Sequence, residues 1–68
     1  MMKVWGMLSS EDEDAGFDLV MDEEWYIVLL NGDKTLARFD PRDYTTRELL
    51  SEIEEILKLV REGIKIEN

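Results

Sequence analysis

YTTRELLSEIEEILKLVREG, residues 44–63, is the stretch whose reading decides the fold of this chain. Thr45 is placed to cap a helix, Glu48 three residues later completes a capping box, and Tyr44 before the cap can staple onto Leu49. Leu49, Leu50, Ile53, Ile56, Leu57 and Val60 then recur at three- and four-residue steps, while Arg47, Ser51, Glu52, Glu54, Glu55, Lys58 and Arg61 fall elsewhere on the wheel. Gly63 is placed to take the left-handed stop, and Ile64 beyond it can touch Leu59. These cues predict an amphipathic helix over about 46–62, with one wet face and one face that needs something to cover.

Working upstream, Pro41 biases Asp40 away from helical geometry, so an extended segment ends there. WYIVLL (25–30) and TLARF (35–39) are rich in aromatic and branched residues and flank Asn31-Gly32, a strong hairpin signal because both residues tolerate the positive φ of a type I′ turn. Asp33 and Lys34 can lengthen that loop, and a slip of one residue would exchange the two faces of the strand. Phe17, Leu19 and Met21 alternate with Asp18, Val20 and Asp22, the pattern of a half-buried strand over 17–21. MKVWGML (2–8) reads as a first strand interrupted at Gly6, and SSEDEDAG (9–16) reads as a polar loop. Ile64-Lys65-Ile66 alternates and suggests a short strand over 64–67.

The expected architecture is therefore α+β over a single domain, 1–68. A small antiparallel sheet of three to four strands, about 2–8, 17–21, 24–30 and 34–39, is covered on one face by a single C-terminal amphipathic helix.

A chain of 68 residues buries only roughly 60% of its unfolded surface, and domains this small usually add disulfides, a metal or oligomerisation to the core. With no Cys and no His, oligomerisation is the remedy left. The missing Cys fits a cytoplasmic address, and MMKVWGMLSS is too short and broken an apolar run for a signal segment or a membrane span. Charged residues make up 37% of the chain, with no Gln and only Asn31 and Asn68 as Asn, a bias that heat-adapted proteins show. The net charge of −9 is uneven: residues 1–33 hold nine acids and one base, and residues 34–68 hold eight acids and seven bases. Direct binding to nucleic acid is disfavoured, because phosphate neutralisation needs Lys and Arg and the long-range field here repels polyanions.

Four constellations invite a chemical reading. In the first, an acidic loop over 11–22 can be laid on a calcium-loop template with Gly16 at its sixth position, but Glu11 is too long for the first ligand, Ala15 offers no side-chain oxygen, and Asp22 is shorter than the bidentate Glu expected last. Weak calcium binding is the most this pattern suggests, and no metal or other cofactor is expected. In the second, Asp22, Glu23 and Glu24 stand beside Trp25, whose apolar ring could raise a carboxyl pKa for acid-base work. No His or Cys accompanies them and Ser9 and Ser10 have only acids as neighbours, so an activated nucleophile lacks its base and an enzyme is not expected. In the third, Arg38, Arg42 and Arg47 lie among Asp40, Asp43 and Glu48, an arrangement of salt bridges more than a phosphate site.

The last is the two-sided strand, with Trp25, Ile27 and Leu29 on one face and Tyr26, Val28 and Leu30 on the other. A single helix covers one sheet face, and aromatic and Met side chains are enriched where chains meet. Trp5, Trp25, Tyr26, Ile27, Val28 and Leu29 are accordingly the interface candidates, and Glu11, Asp12, Glu13 and Asp14 the candidates for contact with a basic partner.

The order strand, acidic turn, strand, strand and Thr-capped Glu-rich helix resembles the small antitoxins of the HicB type across most of the length, although the Pro-containing stretch of that family is missing between Phe17 and Phe39. The expected function is a non-enzymatic protein–protein interaction module or oligomeric subunit, partnered by a second copy or by a protein with a basic surface. The alternative is an antitoxin-like or nucleic-acid-mimicking regulator that binds a basic protein.

Overall fold

A computed structural model describes residues 1–63. The chain order is β1 (Met2–Lys3), α1 (Ser10–Asp14), β2 (Phe17–Met21), β3 (Ile27–Asn31), β4 (Lys34–Phe39), a 3-10 turn (Pro41–Asp43) and α2 (Thr46–Arg61). The strands form one antiparallel sheet in the order β1-β2-β3-β4, so every strand neighbours the one before it in sequence. The α+β class and the C-terminal helix are those expected.

The capping box of α2 is fully formed. Glu48 N–H donates to Thr45 Oγ1 at 3.2 Å and Thr45 N–H donates to Glu48 Oε1 at 2.9 Å. Those two bonds satisfy donors that the first helical turn leaves without intrahelical partners. Gly63 takes a φ of +79° just past the helix end, as its position predicts. The packing of Ile64 and the strand suggested over 64–67 lie outside the described residues.

Leu49, Ile53 and Leu57 of α2 share one buried cluster with Phe17, Leu19, Ile27, Leu29, Leu36 and Phe39 of the sheet. The helix thus covers the face to which the odd-numbered residues of β2 and β3 point. At its edge Tyr44 meets Phe39 edge-to-face, with ring centroids 5.7 Å apart at 89°, the arrangement that ring quadrupoles favour.

The hairpin between β3 and β4 forms, with its turn one residue later than expected. Asn31 pairs with Lys34, leaving Gly32-Asp33 as the connection. Gly32 has φ +61° while Asp33 is not in the left-handed region, the type II′ pattern in which Gly leads. The register then shifts once: Leu30 pairs with Thr35 but Leu29 pairs with Ala37, so Leu36 is the extra residue of a bulge. That bulge is why Leu36 and Phe39, three apart, both reach the core. Strict alternation could not do this.

Elsewhere, two expectations are corrected. The strand expected over 2–8 is cut to Met2–Lys3: Val4 N–H still donates to Leu19 O at 2.8 Å, the chain then turns at Gly6 (φ +84°), and Met7 and Leu8 pack against the core beyond the strand. The loop expected over 9–16 contains a helix. Ser9 caps it by accepting from Asp12 N–H at 3.2 Å and donating its hydroxyl to Asp12 Oδ2 at 2.9 Å. Glu11, Asp12 and Glu13 fill its first turn, where the peptide dipoles favour negative charge. No helix among the described residues is long and apolar enough to cross a membrane.

Candidate functional site

A row of cross-strand partners explains how the face away from α2 is closed. Lys3, Val20, Val28 and Arg38 lie side by side across β1 to β4, with Val20 and Val28 buried in the middle. The long cations at the two ends carry apolar stems that lie along such surfaces while their charged heads reach water. Lys3 Nζ meets Glu13 at 2.6 Å and Asp18 at 3.3 Å, and lies 4.9 Å from the ring of Trp5. Those carboxylates raise the Lys3 pKa, Glu13 most of all. Arg38 lies 3.9 Å from the ring of Tyr26 and bridges to Asp22 and Glu24.

This geometry corrects part of the expected interface. Ile27 and Leu29 are buried under α2 in the central cluster, unavailable to another chain, because the strand alternation turns them inward. Val28 is buried on the opposite face beside Arg38, and Tyr26 is half-buried under the Arg38 guanidinium. The two tryptophans remain. Trp5 is 77% exposed and Trp25 68% exposed, with Met1 and Met2 the other large apolar residues left in solvent.

Trp25 owes its position to the turn joining β2 to β3. Asp22 N–H donates to Tyr26 O at 2.9 Å and Trp25 N–H donates to Asp22 O at 3.1 Å. Asp22 Oδ1 then accepts from the N–H groups of Glu24 at 2.9 Å and Tyr26 at 3.0 Å. The loop is a three-residue hairpin connection whose last residue enters the left-handed region, a position that Gly usually takes. Here Trp25 takes it, at φ +68°, the one positive-φ residue other than Gly among the described residues. A bulky side chain in that region is an outlier that persists only where its surroundings hold it. Asp22 supplies that hold.

Around the turn, Trp25, Met1, Met2 and Met21 line a shallow groove of ≈ 190 Å³ with Asp22 and Glu23 at its edge. A second depression beside it, lined by Met1, Asp22, Glu23 and Glu24, continues the acidic rim. Met2 reaches this corner because β1 pairs it with Met21. Trp5 does not line the groove. The methionines were not among the expected contacts; the signal that points to them is the Met2 to Met21 pairing, which depends on long-range register.

The acidic candidates behave differently from expectation. Asp12 is buried, held by Ser9 and by an ion pair with Arg61 at the end of α2, and Glu13 is bound to Lys3. Two of the four carboxylates over 11–14 are thus engaged within the chain. Within the 11–22 segment considered as a calcium-type loop, residues 11–14 lie in α1, where Asp12 and Glu13 are turned to Arg61 and Lys3. Among the described residues no group of three or more His, Cys, Asp or Glu side chains is gathered in a way that could hold a metal ion.

Of the three carboxylates beside Trp25, Asp22 is shifted away from what a general acid needs. Asp22 sits below the ordinary carboxyl range, first because Tyr26 N–H donates to it, then through Arg38 and Glu24 N–H. A general acid near neutral pH needs the opposite shift. At the sheet-to-helix junction the Arg42 guanidinium folds back on Asp40 with bonds of 3.0 and 2.7 Å, a local ion pair and not a phosphate cradle. No family model matches the chain, and no curated protein and no solved structure matches it.

Proposed function

We propose that this protein is a non-enzymatic protein–protein interaction module, or a subunit of an assembly, and that its contact surface is the Trp25 corner of the sheet. The observation that carries this reading is Trp25 itself: an exposed indole held at φ +68° by a hydrogen-bonded turn, with Met1, Met2 and Met21 around it. Tryptophan is among the residues that carry most binding energy at interfaces, and methionine adapts to varied partner shapes. Scattered apolar residues need no explanation, but a contiguous apolar corner with a polar rim fits a docking site. The partner is a second copy or a protein with a basic surface.

The test compares wild type with Trp25→Asn, since Asn tolerates the left-handed region. Light scattering after size exclusion reads self-association, and cross-linking in cells followed by identification of the linked peptides reads other partners. Wild type is expected to form a complex whose cross-links map to Trp25, Met2 or Met21, and the variant to lose it while keeping its circular dichroism. Identical assembly of the two proteins overturns the reading.

The antitoxin-like or phosphate-mimicking alternative relied on the carboxylates of 11–14. With Asp12 and Glu13 bound inside the chain, no specific observation favours it over the Trp25 corner.

A further inference from the structure

We infer that the occupant of the Trp25 groove is a cationic segment of a different protein, one that places an apolar side chain against Met2 and Met21 and a Lys or Arg over the indole and against Glu23 and Glu24. This rests on the docking reading above and adds the chemistry of the partner.

Charge is the first argument. Glu23 has no hydrogen-bond or ion-pair partner among the described residues, and Glu24 shares Arg38 with Asp22 while its own side chain stays 76% exposed. The base nearest in sequence on the N-terminal side, Lys3, is engaged with Glu13 and Asp18. Against Asp22, Glu23 and Glu24 the cations at this corner among the described residues are Arg38 and the α-amino group of Met1, which lines both depressions, so the rim keeps a net negative charge. A second copy would bring another net charge of −9, and a two-fold interface uses the same patch on both chains, setting Glu23 and Glu24 against their own equivalents. Like-charge juxtaposition of this kind excludes partners, and opposite charge selects them.

The aromatic surface is the second argument. The face of a Trp ring attracts an ammonium or guanidinium through its quadrupole. This chain already pairs Lys3 with Trp5 at 4.9 Å and Arg38 with Tyr26 at 3.9 Å. Trp25, the other exposed tryptophan, has no cation over its ring among the described residues. Because Asp22 fixes the backbone of the turn beforehand, only the side chain of Trp25 is left to order on binding.

The experiment uses three short peptides with the same Leu-containing centre, flanked by Lys and Arg, by Gln, or by Glu. Binding is read from the anisotropy of a fluorophore attached to each peptide, at low and high salt, alongside light scattering of the free protein. The basic peptide is expected to bind about tenfold or more tightly than the Gln peptide, a margin that high salt shrinks. Paired Glu23→Gln and Glu24→Gln substitutions are expected to erase the margin, and Trp25→Asn to abolish binding of all three. Equal binding of the three peptides overturns the cationic inference while leaving docking intact. A dimer that Trp25→Asn dissolves does the same, naming a second copy as occupant. No binding by any peptide, with no assembly lost in Trp25→Asn, overturns both.

Discussion

Asp22 and Arg38, sixteen residues apart, are joined by two hydrogen bonds onto one carboxylate oxygen, from Nε at 3.1 Å and from Nη2 at 2.9 Å. The other oxygen, Oδ1, caps the turn that holds Trp25. One side chain thus links the end of β4 to the loop between β2 and β3. The two oxygens separate the contributions. Asp22→Ala removes both the cap and the ion pair, Asp22→Asn keeps an acceptor for the cap, and Arg38→Met removes the exposed pair, which solvent screens, while keeping an apolar stem beside Val28 and Tyr26. The midpoint of urea denaturation is expected to fall most for Asp22→Ala, less for Asp22→Asn and least for Arg38→Met. An Arg38→Met loss as large as that of Asp22→Ala would assign the turn's stability to the charged Arg38 head instead of the cap.

A second carboxylate gives a pH signature. Asp40 is lowered to about 2, first by the Arg42 side chain and then by the Arg42 N–H. Its folded pKa lies below the unfolded value near 3.8, so its contribution to stability is present above that unfolded value and is lost as pH falls from there through about 2. Carboxyl carbon shifts followed by NMR are expected to show the Asp40 midpoint at about 2. Arg42→Ala is expected to move it only part of the way back, because the backbone N–H at position 42 still donates. A full return would leave no role for that N–H.

The core makes a prediction of size. Ile53 is 1% exposed and packs in the cluster that includes Leu19 and Leu29. Truncating such a side chain costs about 2 to 5 kcal/mol, against a total stability of roughly 0.05 to 0.15 kcal/mol per residue. Ile53→Ala is therefore expected to remove a large share of a total of roughly 3 to 10 kcal/mol, while Ile53→Val costs only about 0.5 to 1.5 kcal/mol. Thr45→Ala, which removes the helix cap, is expected to cost about 1 kcal/mol. Guanidinium denaturation measures all three, and a mild Ile53→Ala would show that α2 is not the cover of the sheet.

What could be read from the sequence follows the range of the interactions. The start of α2 was legible because Thr45, Glu48 and Tyr44 act within five residues of one another, and the hairpin was legible because Asn31-Gly32 breaks two apolar runs. The turn itself slipped to Gly32-Asp33 because Asn31 gains a strand partner in Lys34. The bulge at Leu36 was hidden, since it is set by which side chains α2 can bury. Helix α1 was missed because an acidic run of this length reads as solvated, although Ser9 followed three residues later by Asp12 is a short-range cap signal. The closing of the far sheet face by Lys3 and Arg38 depends on register across four strands and leaves no local trace. That closure moves the open apolar surface from the sheet face to the Trp25 corner.

Trp25 itself separates stability from docking. An L-residue in the left-handed region is disfavoured by about 1 to 2 kcal/mol, and at 68% exposure the indole buries little surface that could offset this. Trp25→Gly removes the strain along with the ring, whereas Trp25→Ala removes the ring and keeps a Cβ in the strained position. Trp25→Gly is therefore expected to be more stable than Trp25→Ala by about 1 kcal/mol, and no less stable than wild type, when thermal or chemical unfolding is followed. Both variants are expected to lose the interaction. A residue that lowers stability where Gly would relieve it, and whose removal costs only binding, is retained for the contact it makes. If Trp25→Gly unfolds more readily than wild type, the indole is a structural support of the turn and the contact surface must be sought elsewhere.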